Sequence, residues 1–238
     1  MACTTPVNFE CEADLQELLA ESGIIELPSR NHRVAYASRE VDLGKYIPDI
    51  VIVSFKEEPD FNSYNYKWTY KHSFVSYCLK KHGAQKISKI AERCYSRKEV
   101  IEPVIKDMKK KKAVGERGES VYLKEKLRRL NPLVTGVEVK IKKWGRALRQ
   151  ATRYQEFADE SMVVMPFEHI PDRSENVTEF KEKGVGLAGV TKAGLEWFVP
   201  KVTTPVKGPD KEHIVRSSLS HRPYWFRYDR KASCHART

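Results

Sequence analysis

The chain contains no run of about 18 apolar residues, so no membrane-spanning helix is expected. Its opening residues, MACTTPVNFE, lack the basic-then-apolar layout of a secretory signal. No GxxxxGK(S/T) phosphate loop occurs, which removes the P-loop nucleotide enzymes. Cysteine is sparse: Cys3, Cys11, Cys78, Cys94 and Cys234 are odd in number and scattered, and no CxxC pair suggests zinc or a disulfide framework. Cys78 and His82 lie one helical turn apart with Cys94 nearby, but a zinc site needs a fourth ligand and cleaner spacing. His213, His221 and His235 fall in a polar C-terminal stretch, where solvent exposure is expected. The expectation is a soluble protein with reduced thiols, cytoplasmic or nucleoid-associated, with no membrane partner.

Positive charge is abundant and localised. Residues 80–126 carry fifteen basic and seven acidic side chains, and residues 200–238 carry nine and three, so the rest of this +11 chain is net negative. Segmental basicity suits a polyanion, most often nucleic acid, through phosphate neutralisation and counterion release. The plainer alternative is that lysine-rich faces only solvate the protein.

Apolar spacing divides the 238 residues. EADLQELLAES has Leu15, Leu18 and Leu19 at helical spacing and stops before Gly23, predicting a helix over 12–22. RVAYAS and IPDIVIVSF are rich in β-formers, and the second is nearly all apolar, as a central strand covered on both faces would be. A helix is expected near 71–82, ending at Gly83, and a second from Ser88. A third should start at Ser96 with Glu99 as a capping box, burying Val100, Ile101, Val104, Ile105 and Met108, with Pro103 kinking it or moving its start. AVGERGESVYL then reads as a hairpin. Helix, helix, helix, hairpin resembles the winged helix-turn-helix modules of transcription factors, the alternative being a generic helical insertion.

Beyond it, VEVKIK reads as a strand, residues 144–158 as a helix and MVVMP as a strand, which suggests a parallel or mixed sheet. GVGLAGV and LEWFVP form a closing hairpin. After Pro200 the stretch reads as irregular, partly disordered until bound, with Tyr224, Trp225, Phe226 and Tyr228 able to stack on bases.

Glu138 and Lys140 stand two residues apart on an apolar strand, so both side chains leave one face. A lone ExK is weak, and a second pair, Glu179 and Lys181, exists. On a core strand, however, two charges are costly unless they serve one another or bind something. Asp49 opens another predicted core strand; beside Glu138 it would make a hard oxygen site suited to Mg²⁺, or Mn²⁺, with Lys140 near the attacking water.

PDIVIV, with Pro48 and Asp49, followed by EVK and then QATRY, with Gln150 and Tyr154, resembles the PD-(D/E)XK nuclease superfamily, in its RecB-like QxxxY branch. The resemblance covers about 12–55 and 134–199. It implies an α/β restriction-endonuclease-like core with a central mixed sheet flanked by helices, and a metal-dependent deoxyribonuclease activity. Asp49 and Glu138 would hold the metal, Lys140 would serve the water, and Gln150, with Tyr154, would brace the site or touch substrate. A glutamate from the first helix often joins; Glu17 is the first choice here, then Glu12 and Glu21. The long gap from Asp49 to Glu138 departs from the family and matches an inserted winged helix.

The expected layout is therefore nuclease core over 1–70 and 127–199, winged-helix insert over 71–126 and a basic flexible tail over 200–238. Lys98, Lys109, Lys110, Lys111, Lys112 and Arg117 are the candidate DNA contacts, on duplex or branched DNA, and the sequence is compatible with a homodimer. The rivals are a non-cleaving DNA-binding or regulatory protein on the same fold, and an RNA-binding module.

Overall fold

The computed structural model describes residues 9–21, 32, 34–43, 45–57, 68–170, 174–191, 194–220 and 226–229. In chain order the elements are α1 (Glu12–Glu21), β1 (Val34–Arg39), β2 (Ile50–Phe55), α2 (Tyr70–His82), β3 (Gln85–Lys86), α3 (Ile87–Arg93), α4 (Lys98–Lys110), β4 (Val114–Arg117), β5 (Ser120–Leu123), α5 (Glu125–Arg128), β6 (Leu133–Val139), α6 (Trp144–Tyr154), β7 (Glu160–Pro166), α7 (Ser174–Lys183), β8 (Gly186–Thr191), β9 (Gly194–Val199), α8 (Pro209–Ser220) and β10 (Phe226–Asp229). They fall into two compact units, one comprising 1–58, 133–206 and 223–238, the other 59–132 and 207–222.

The first unit is a mixed sheet of seven strands in the order β10-β1-β2-β6-β7-β8-β9, flanked by helices. β1, β2 and β6 run antiparallel, then β6, β7 and β8 run parallel, with α6 and α7 as the connections. IVIVSF in β2 is buried at every position, as a β-branched run covered on both faces should be. Alternation along β6 divides its work between the faces. Val137 and Val139 join Leu15 and Leu19 of α1 in an apolar cluster. Gly136 and Glu138 point the other way, toward α6, whose Ala147, Leu148, Ala151 and Tyr154 form its buried stripe.

In the second unit, α4 buries Ile101, Val104, Ile105 and Met108, as its periodicity predicts. The helix runs through Pro103 without ending there. That residue is exposed, so the hydrogen bond it forfeits lies on the solvent side, where water replaces it. The expected Ser96 capping box is not formed: the N-cap is Arg97, with no side-chain cap bond. Ser96 instead closes the preceding helix, its N–H donating to the Ala91 carbonyl at 3.0 Å. β3, β5 and β4 make a small sheet in that order, and β4–β5 is the expected hairpin, turning at Gly118 with φ +59°.

The segment expected to be an irregular tail is ordered over much of its length. β10 pairs antiparallel with β1, and α8 packs on α2. Arg216 is wholly buried: its Nε donates to Glu212 at 2.9 Å, its Nη2 reaches the Leu127 carbonyl at 3.2 Å, and its guanidinium lies 5.3 Å from the Trp68 ring centre. Glu212 also accepts from the Ser76 hydroxyl at 2.8 Å. Burial opposes its charge, but Arg216 and Lys80 outweigh that and hold its carboxyl below the usual range. His213, expected to be exposed, is half-buried 3.2 Å from the Ser73 hydroxyl. Part of the tail's charge is thus spent inside the fold. The aromatics Tyr224 and Trp225 lie outside the described residues. No described helix is long and apolar enough to cross a membrane.

Candidate active site

The site forms at the C-terminal end of β6. Ile50 pairs with Val137 in the β2–β6 ladder, so one step further Asp49 comes opposite Glu138. Asp49 Oδ2 accepts from the Val139 N–H at 2.8 Å, which fixes its carboxylate across the strand end. The Lys140 N–H continues the parallel ladder by donating to Val164 at 3.1 Å. Its side chain turns back over the strand end. There Nζ donates to the Val139 carbonyl at 3.0 Å and to Glu12 Oε2 at 3.0 Å, reaches Asp49 Oδ2 at 3.4 Å and lies 2.9 Å from Glu138 Oε1. Four oxygens from three parts of the chain surround one ammonium.

From the opposite face, Tyr154 donates its hydroxyl to Glu138 Oε2. The ring reaches that oxygen by lying across Gly136, where an added Cβ would stand 3.0 Å from the Tyr154 Cβ. The glycine in a core strand, otherwise unfavourable, is therefore part of the site. Gly136→Val should push Tyr154 off Glu138 and destabilise the fold by about 1–3 kcal/mol, the usual cost of overpacking a filled core. Thermal melts measure it. Gln150 precedes Tyr154 by one turn on the same stripe of α6. Its amide oxygen is buried without a hydrogen-bond partner among the described residues.

The first-helix glutamate is Glu12, not Glu17. Glu17 is exposed, and five residues turn it about 140° around the helix from Glu12. Glu21 ends the same helix, and its side chain lies outside the described residues.

Burial dominates the electrostatics. It raises the Asp49 carboxyl above its ordinary range despite the Val139 N–H and Lys140. It raises Glu138 as well, helped by the nearby Asp49 charge and opposed by Tyr154 and Lys140. For Lys140 burial alone would lower the pKa, but Glu138 and Asp49 more than compensate and raise it, so the ammonium stays charged. Burial and the Glu138 charge together push the Tyr154 phenol up, keeping it a donor.

Among the described residues, no group of three or more His, Cys, Asp or Glu side chains forms a metal cage. The centre of this cluster is filled by an ammonium. The donor set nonetheless fits a hard cation: two buried-edge carboxylates and a main-chain carbonyl already face one positive charge, and Mg²⁺ keeps several waters rather than requiring a complete protein shell.

The six candidate DNA contacts of the second unit divide evenly. Lys98 pairs with Glu102 at 3.3 Å, Lys111 with Asp107 at 2.5 Å, and Lys109 with Glu116. Lys110, Lys112 and Arg117 are exposed and carry no ion pair among the described residues. A basic surface not singled out from the sequence lies on α6: Arg146, Arg149 and Arg153 are exposed, Lys142 and Lys143 are exposed just before the helix, and the helix has no acidic residue. The signal is readable in WGRALRQATRY, where the arginines repeat at i, i+3 and i+7 on the side opposite the buried stripe.

Comparison with family models, curated proteins and solved structures gives no match.

Proposed function

We propose that the protein is a metal-dependent DNA nuclease of the PD-(D/E)XK type, with DNA binding aided by a winged helix. The observation that carries this reading is the convergence of Glu12, Asp49, Glu138 and the Val139 carbonyl on Lys140 at a strand end. The sheet supports it: antiparallel β1–β2–β6 continues through a crossover helix into parallel β7, a central mixed sheet flanked by helices as the resemblance implies. Helix, strand, two helices and a hairpin, with sheet order β3-β5-β4, support the winged-helix reading of the second unit.

Asp49, Glu138 and the Val139 carbonyl would hold a Mg²⁺ or Mn²⁺ ion, with Glu12 at its edge. Such an ion supplies Lewis-acid polarisation of a phosphodiester and acidifies a bound water. Tyr154 holds one oxygen of Glu138 in place, leaving the other directed at the cluster. Lys140 orients the attacking water and stabilises charge developing at phosphorus. Gln150, its amide oxygen buried one turn before Tyr154, would brace the site. Each unit brings its own phosphate-binding surface, α6 in the core and Lys110, Lys112 and Arg117 in the second unit.

The test is incubation of the purified chain with linear, circular and branched DNA in Mg²⁺ or Mn²⁺, then in chelator. Cleavage that requires the metal is expected. Tight DNA binding without cleavage in any divalent metal would contradict the nuclease reading and favour the non-cleaving alternative. Neutralising Lys110, Lys112 and Arg117 together should weaken binding to any duplex sequence and lower the salt slope of log K by about 0.9 per lost phosphate contact. Affinity titrations across salt concentrations measure both. The paired lysines 98, 109 and 111 should matter less.

A further inference from the structure

Tyr95 ends α3 in a conformation that its side chain disfavours. Its φ is +49°, in the left-handed region, and it is the only aromatic residue there among those described. The backbone holds it in place: Tyr95 N–H donates to Glu92 at 3.1 Å and Ser96 N–H to Ala91 at 3.0 Å, the closing pattern of a helix C-terminus in which the left-handed position is normally glycine. This chain uses glycine at the comparable end of α7, where the N–H of Gly184, at φ +65°, donates to Lys181 and that of Val185 to Phe180, both at 3.0 Å. A bulky residue at positive φ is an outlier, and such strain concentrates at functional positions.

Packing does not account for it. Tyr95 is 94% exposed, whereas the next most exposed large hydrophobic among the described residues, Ile47, is 59% exposed. Tyr95 lies in the turn between α3 and α4, where Arg93 and Arg97 are exposed, as are Glu92 and Glu99, and Lys98 is paired with Glu102. An exposed aromatic face on a fixed backbone, with Arg93 and Arg97 close in the chain, matches a nucleotide whose base is unstacked and whose phosphates lie alongside. In a paired duplex every base face is already covered, so the ring would find its partner only where DNA opens.

We propose that Tyr95 stacks on an unpaired base and so directs the second unit to forked or branched DNA over plain duplex. This rests on the DNA-binding reading above and specifies its substrate class. The test uses the 238-residue chain in chelator, which suppresses cleavage. Fluorescence anisotropy compares a fork with unpaired arms to a fully paired duplex of equal length, for the parent, Tyr95→Phe and Tyr95→Gly, with 2-aminopurine at the first unpaired position as a stacking reporter. Loss of one base–aromatic stack should weaken Tyr95→Gly on the fork by roughly 5- to 100-fold, leave duplex affinity unchanged and abolish the change in 2-aminopurine emission. Tyr95→Phe should behave as the parent. Tyr95→Gly should also raise the melting temperature, because glycine accepts the positive φ without strain. Parent-like fork affinity in Tyr95→Gly overturns the proposal while leaving the DNA-binding reading intact. Failure of the parent to bind either DNA removes both.

Discussion

The Glu138→Gln protein is expected to lose DNA cleavage by about three orders of magnitude and to melt no lower than the parent. The amide keeps the shape of the side chain and can still accept from Tyr154, but it no longer offers an anionic oxygen to a metal. The stability side follows from burial, which with the Asp49 charge raises the Glu138 carboxyl above its unfolded value. A raised carboxyl takes up a proton on folding, so its contribution is greatest in acid and is lost as pH rises through the folded pKa. Glutamine removes that loss, while Lys140 keeps Glu12, Asp49 and the Val139 carbonyl as partners. Melting temperatures measured between about pH 5 and pH 8 should fall less with rising pH in the variant than in the parent. A variant that cleaves like the parent, or that unfolds readily at neutral pH, contradicts this account of Glu138.

Lys140→Met has the second large effect, of opposite sign for stability. It removes the one charge that, among the described residues, offsets Glu12, Asp49 and Glu138 at the strand end. Breaking a buried ion pair by deleting one partner costs roughly 3–5 kcal/mol. The lower end is expected here, because the Glu12 side chain is 43% exposed and water screens it. Asp49 and Glu138, already raised by burial, would rise further, so the variant should be least stable at high pH and recover as pH falls. Cleavage should be lost as well. Added Mg²⁺ or Ca²⁺ should raise the melting temperature of Lys140→Met more than that of the parent, since a bound cation stabilises by mass action and would no longer compete with an ammonium. Thermal melts with and without metal decide it.

Asp49, Glu138 and Lys140 are legible in the sequence because charges on otherwise apolar strands have few reasons to be there. Period-2 alternation then fixes which of them share a face. The helix pattern likewise exposes Tyr154 and Gln150 as one stripe. Glu12 is not legible: Glu12, Glu17 and Glu21 are chemically alike, and only the angle at which Leu15 and Leu19 seat α1 on the sheet selects among them. Gly136 reads as a weak point in a strand until Tyr154 is seen lying over it. The C-terminal segment misleads because its composition resembles a solvated arm. Its decisive feature is one i, i+4 pair, Glu212 and Arg216, which looks like an ordinary exposed helix pair until Ser76, Leu127 and Trp68 close around it. Charge counting also overstates the lysine run, since counting cannot reveal that Lys109 and Lys111 are matched by Glu116 and Asp107.

The most direct measurement is a crystal structure of the protein soaked in Mn²⁺, with anomalous scattering used to locate the metal. A peak bound by Asp49, Glu138 and the Val139 carbonyl is expected, with the Lys140 ammonium moved off those oxygens. That peak should be lost in Glu138→Gln. Lys140 still seated among the carboxylates at saturating Mn²⁺, with no peak at the strand end, would contradict the metal assignment.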